Sequence, residues 1–122
     1  MVTVTRRRFE ELVSDALDSI PREIWDDMEN VAVLVEDWPA QGQGVAGGRT
    51  LLGLYEGVPV TKRGPIGYSG VMPDRITIFR GPLCERARDE EDLAAQVHMT
   101  VLHEVGHYFG MTDERLRELG WA

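Results

Sequence analysis

Two histidines four residues apart, His103 and His107, with Glu104 directly after the first, constrain this chain more than any other feature. Four residues advance a helix by about 400°, so on a helix the two imidazoles sit one turn apart and about 40° round from each other. Placed that way they can converge on one ion, and Zn²⁺ accepts imidazole nitrogen at roughly 2.0–2.1 Å. Glu104 lies about 60° round from His107 on the same side, within reach of a water proton beside such an ion. The flanks agree with a helix. Asp89 with Asp92 three residues on resembles a capping box, and Gly110 stops the helix after Phe109 as a C′ glycine does. Leu93, Val97 and Val101, at four-residue steps, form its core face. Among 122 residues with three histidines, the H-E-x-x-H pattern arises by chance roughly 0.007 times. Gly110 and Asp113 at the next two three-residue steps lower that by about another hundredfold.

A catalytic zinc takes three protein ligands and keeps a fourth position open. Asp113 is the best-placed third donor, because Gly110 can take a positive φ and bend the chain back toward the histidines. Glu114 and Glu118 compete with it. A simpler role for Asp113, as the cap of a short last helix, also stays open. His98 stands nine residues before His107, about 900° round the helix and on its opposite face, so it is excluded as a ligand.

Ahead of this helix the pattern changes from helical to strand-like. From Thr5 to Ile20, Phe9, Leu12, Val13, Ala16, Leu17 and Ile20 recur on one helical face. Pro21 ends that helix and opens a short one through Met28, with Ile24, Trp25 and Met28 inward. Val31 to Val35 is a continuous apolar run and reads as a buried strand. The glycine-rich QGQGVAGGRT at 41–50 reads as a loop, and Leu51 to Tyr55 as a second strand. Residues 57–73 carry turn formers throughout and read as one long loop, a candidate lid. Arg75 to Phe79 alternates as a third strand and is closed by Gly81-Pro82. Asp113 to Leu119 is a short last helix. The expected fold is a single α+β domain over residues 1–122, a small mixed sheet packed against an N-terminal helix and the long site helix.

Composition narrows the function. Thirteen Lys and Arg against 21 Asp and Glu give a net charge of −8, a field that repels nucleic acid and anionic membranes. Arg6-Arg7-Arg8 is most simply the solvated start of a helix. No apolar stretch approaches the roughly 20 residues of a membrane span, and the N-terminus lacks signal-peptide order. Cys84 is the only cysteine, so no intrachain disulfide forms, and without a positioned base it is expected to be inert. A cytoplasmic protein is expected. Trp38 and Trp121 are expected in the core.

HEVGHYFGMTD, residues 103–113, resembles the extended zincin motif H-E-x-x-H-x-x-G-x-x-H/D of metallopeptidases. In length and layout, including LLGLYEGVPV and PDRITIFRGPL, the chain is similar to the small bacterial zincin-like metallopeptidases, a minimal zincin core. The resemblance implies one zinc per chain, with His103, His107 and Asp113 as ligands and Glu104 as general base. It implies a peptide or protein substrate, and a sheet whose last strand, Arg75 to Phe79, borders the cleft and pairs with an extended peptide. The implied reaction is metal-assisted amide hydrolysis, Glu104 passing a water proton to the leaving amine. Tyr55 and Tyr68 are candidates for steadying the oxyanion, with plain packing as the alternative for each. The larger relatives carry a methionine turn well beyond the third ligand and a second, lower subdomain. Neither is expected here, and Met111 is out of place for such a turn.

Two other functions fit parts of the pattern. One is a non-catalytic zinc-binding or interaction domain on a degenerate zincin fold, which a closed four-ligand site would favour. The other is a metal-dependent endoribonuclease of the H-x₃-H-x₅-H kind, whose spacing His103, His107 and Asp113 share. Such enzymes do not depend on a Glu after the first His, and the negative charge disfavours RNA.

Overall fold

The computed structural model of the chain describes residues 1–28, 31–40, 51–57 and 74–121. The stretch at 41–50 and all but Gly57 of the loop expected at 57–73, with Tyr68 and the candidate lid, lie outside the described residues. Thr5 opens the first helix, α1 (Arg6–Asp18), its extended backbone letting the hydroxyl accept the Arg8 N–H at 3.1 Å. The face expected to be apolar is the one buried: Phe9, Leu12, Val13 and Ala16. Pro21 then leads into α2 (Arg22–Asp26), and the Trp25 indole N–H donates to the Leu17 carbonyl at 3.0 Å.

Three strands follow: β1 (Val31–Glu36), β2 (Gly53–Glu56) and β3 (Asp74–Phe79). Their order is β1-β3-β2, with β1 parallel to β3 and β2 antiparallel to it. Val33 and Tyr55 stand opposite Ile76 from the two sides. This corrects the expectation that Arg75 to Phe79 borders the cleft. β3 is central and hydrogen-bonded along both edges, so it has no edge to give a peptide. The physical reason is in its side chains. Every β3 residue except Arg75 is buried, as a strand covered on both faces requires. β1, expected as buried, is an edge strand among the described residues, with Leu34 39% exposed. A short continuous apolar run does not distinguish a central strand from a half-covered one.

Directly after β3, where Gly81-Pro82 predicts a turn, the chain forms a helix instead, α3 (Arg80–Arg86). Pro82 sits in its first turn, where the missing N–H has no helical partner to lose, and Leu83 and Cys84 point into the core. Trp38, expected in the core, is 53% exposed. Its ring lies against Gly81, where a Cβ would fall 2.3 Å from it. Only glycine lets the indole lie there.

The long helix α4 (Glu90–Tyr108) opens as expected, Asp89 accepting the Asp92 N–H at 2.8 Å. It packs on α1, α3 and the sheet, with β2 its closest strand. Phe9, Ile76, Ile78, Leu83, Leu93, Val97, Val101 and Val105 are fully buried around it. Each such side chain contributes about 1.5–3 kcal/mol of burial free energy. An Arg8–Glu90 pair at 2.7 Å joins the start of α1 to the start of α4. The last helix is α5 (Asp113–Leu119). The molecule is thus α+β, a three-stranded mixed sheet with helices packed on it, consistent with a minimal zincin-like fold. No described helix is long and apolar enough to cross a membrane.

Candidate metal centre

His103 and His107 project from adjacent turns near the end of α4, and their Nε2 atoms lie 3.0 Å apart. The chain that follows turns sharply. Gly110 takes φ +78°, its N–H donates to the His107 carbonyl at 2.9 Å, and the Met111 N–H donates to the Gly106 carbonyl at 3.0 Å. An L side chain rarely adopts that φ, which is why glycine stands at the bend. Thr112 caps α5 by accepting the Arg115 N–H at 3.1 Å, so the capping role left open for Asp113 falls to its neighbour. Asp113 is the first residue of α5, and its Oδ1 lies 3.3 Å from His107 Nε2 and 3.6 Å from His103 Nε2. Of the competing carboxylates, Glu118 is paired with Arg115 at 3.0 Å.

Donors held at about 2.0–2.1 Å from one ion at tetrahedral angles stand about 3.4 Å from each other. The three separations, 3.0, 3.3 and 3.6 Å, bracket that figure. Two imidazoles and a carboxylate are also a donor set that zinc accepts. The site residues fit such an ion in spacing and in chemistry. Glu104 also brings a carboxylate oxygen within 4.8 Å of both imidazole donors, so two carboxylates, Glu104 and Asp113, stand beside the histidines.

Glu104 is only 6% exposed. Burial pushes its carboxyl up to about 7; the backbone N–H of Tyr55 donates to it and opposes the rise, and the Asp113 charge adds to it. A cation beside the histidines would act with the Tyr55 N–H, favouring the carboxylate. Burial lowers the pKa of His107, the neighbouring His103 lowers it further, and Asp113 works against both. A neutral imidazole is the form that binds metal.

β2 forms the wall beside Glu104. The Phe79 N–H donates to the Leu52 carbonyl at 3.0 Å, so by antiparallel alternation Gly53 and Tyr55 turn their backbone groups to the outer edge, where Glu104 meets the Tyr55 N–H. Gly53 allows the close approach. A Cβ there would stand 2.7 Å from Thr100 Cγ2 and 3.3 Å from Glu104 Cγ. The Tyr55 hydroxyl, weighed for the oxyanion, donates instead to Asp74 Oδ2 at 2.7 Å, and its ring packs edge-on against Tyr108. Tyr55 therefore serves this site through its backbone, a contact that no side-chain reading of the sequence could find. A glycine inside a strand, Gly53, was the available signal of close approach.

His98 lies away from the trio, as its angle on the helix required. Its Nδ1 is 3.1 Å from Ser19 Oγ, whose own proton goes to the Ala16 carbonyl at 2.6 Å, so the ring donates and ties α4 to the end of α1. Cys84 is buried, and burial raises its thiol pKa, in keeping with an inert side chain.

No curated protein matches this sequence. Among solved structures, a conserved hypothetical protein from T. thermophilus is similar, with 26% identity and a TM-score of 0.62 over 87% of this chain and 94% of that one. The sequence model of the family described as zincin-like metallopeptidase matches residues 28–121, from before β1 to the end of α5. That span includes the whole sheet, the α4 histidines and the returning α5 carboxylate, and on this match the chain belongs to the zincin-like metallopeptidase family.

Proposed function

We propose that this protein is a zinc-dependent peptidase in which His103, His107 and Asp113 hold the metal and Glu104 is the general base. The observation that carries this reading is the trio of donor atoms 3.0–3.6 Å apart with a buried carboxylate beside it. His103, His107 and Asp113 would hold the zinc, which when bound would supply a Lewis acid for the scissile carbonyl and lower the pKa of water toward neutral. Everything else falls to the chain. Glu104 accepts the proton of the attacking water and returns it to the leaving nitrogen, which breaks the amide bond. The Tyr55 N–H fixes the carboxylate against α4, and the low exposure of Glu104 keeps bulk water from competing for it. Three protein donors leave a fourth position for substrate, which favours hydrolysis over a closed structural zinc.

The peptide itself is assigned to the outer edge of β2. No described strand pairs there, and Glu104 already takes the outward-facing Tyr55 N–H, so a segment added there pairs beside that contact rather than through it. An extended segment adding to it gains main-chain hydrogen bonds that do not depend on sequence.

Glu104→Gln tests the reading. The variant keeps the side-chain volume and loses the base, so peptide hydrolysis is expected to fall at least a hundredfold while zinc remains bound. Turnover equal to that of the parent protein would remove Glu104 from the mechanism.

A further inference from the structure

We infer that Gly106 and Leu116 form a size-matched contact that sets the reach of Asp113, so that Gly106, directly before His107, is a positioning residue for the metal centre. The inference rests on the metal-binding reading above and concerns how this chain assembles its third donor. α5 has a single buried residue, Leu116, with no exposed surface. Its side chain occupies the notch left by Gly106 on α4. A Cβ at position 106 would stand 2.2 Å from Leu116 Cδ2, well inside the 3.5–4.0 Å of carbon–carbon contact. Gly106 is helical and needs no positive φ, so its requirement is space rather than backbone freedom.

Two contacts therefore fix α5 on α4. Asp113 and Leu116 are three residues apart on α5, and His103 and Gly106 three apart on α4, so each pair shares a helix face. Asp113 meets the histidines, and Leu116 meets Gly106. The turn from Phe109 to Thr112 tethers the start of α5 to α4, with the Met111 N–H bonded to the Gly106 carbonyl at 3.0 Å. A methyl group at 106 overlaps the Cδ2 end of Leu116; with Leu116 buried on every side a new rotamer costs packing, so α5 shifts outward, and metal–ligand distances tolerate only about ±0.2 Å. The first loss on crowding the notch is then the Asp113 carboxylate.

The test compares zinc affinity and the visible spectrum of bound Co²⁺ for the parent protein, Gly106→Ala, Leu116→Ala and the double variant. Alanine favours helix over glycine, so Gly106→Ala does not unwind α4. It is expected to weaken zinc binding about 10–100-fold and to dim the intense tetrahedral Co²⁺ bands. The double variant, in which the new methyl takes the space left by the leucine, is expected to bind more tightly than Gly106→Ala and to recover part of the bands. Affinity and spectrum in Gly106→Ala equal to those of the parent would overturn the inference. So would a double variant no better than Gly106→Ala. If the parent itself takes up no zinc, or if Asp113→Ala binds as the parent does, the metal-site reading fails first and takes this inference with it. If those two controls behave while Gly106→Ala is silent, only the positioning role is lost.

Discussion

Glu104 has a carboxyl raised by burial from 4.5 to about 7, so in metal-free protein the folded chain holds a proton there that the unfolded chain has released. With the folded pKa above the unfolded one, the folded state binds more protons between about pH 4.5 and 7, and stability falls as pH rises through that window. The upper limit of the effect is on the order of 3 kcal/mol. His107, lowered in the fold, works in the opposite direction, so the share of Glu104 is read by difference: between pH 5 and pH 7.5 the melting temperature of chelated parent protein is expected to fall relative to that of Glu104→Gln. A slope unchanged by the substitution would mean that Glu104 does not hold its proton in the fold. At this scale the spacing of His103, Glu104 and His107 made their meeting on one side of a helix legible. The return of Asp113 was legible in part, through Gly110. The Tyr55 N–H was not, because a backbone contact between β2 and α4 leaves no trace in residue type.

Among the elements, the long site helix was the easiest to read and the sheet the hardest. α4 announces its start at Asp89 and its end at Gly110, and α1 announces its buried face at Phe9, Leu12, Val13 and Ala16. Strand order depends on pairing between segments far apart in the chain, and an apolar run such as Val31 to Val35 is compatible with centre or edge. The resemblance to the zincin family implies β3 at the border of the cleft, and it lies in the middle of the sheet. α3 escapes a sequence reading because Gly81-Pro82 is a turn signal as well as a helix first turn. The contact between α1 and α4 carries a direct prediction. Phe9 has no exposed surface, so Phe9→Ala should cost about 3–5 kcal/mol in denaturant unfolding. Its zinc affinity in the folded state should be unchanged, since Phe9 belongs to the apolar core cluster, which contains none of the donors. A loss under about 1 kcal/mol would contradict the packing.

For the molecule as a whole, the net charge of −8 bears on the choice of substrate. An endoribonuclease has to draw phosphate against that field, and here no measurable binding of labelled RNA is expected at physiological salt. Micromolar affinity would reopen that reading. The fold serves the site by laying one helix against one edge strand and folding a short last helix back onto both histidines. Family membership, fold and site geometry all direct attention to the same few residues of α4 and α5. Whether those residues hold zinc is decided by the zinc-to-protein ratio of the chain purified without chelator, for the parent and for Asp113→Ala. About one zinc per parent chain is expected, with a large loss in the variant. No zinc in the parent, even after titration, or a ratio that Asp113→Ala leaves untouched, would contradict the three-donor site.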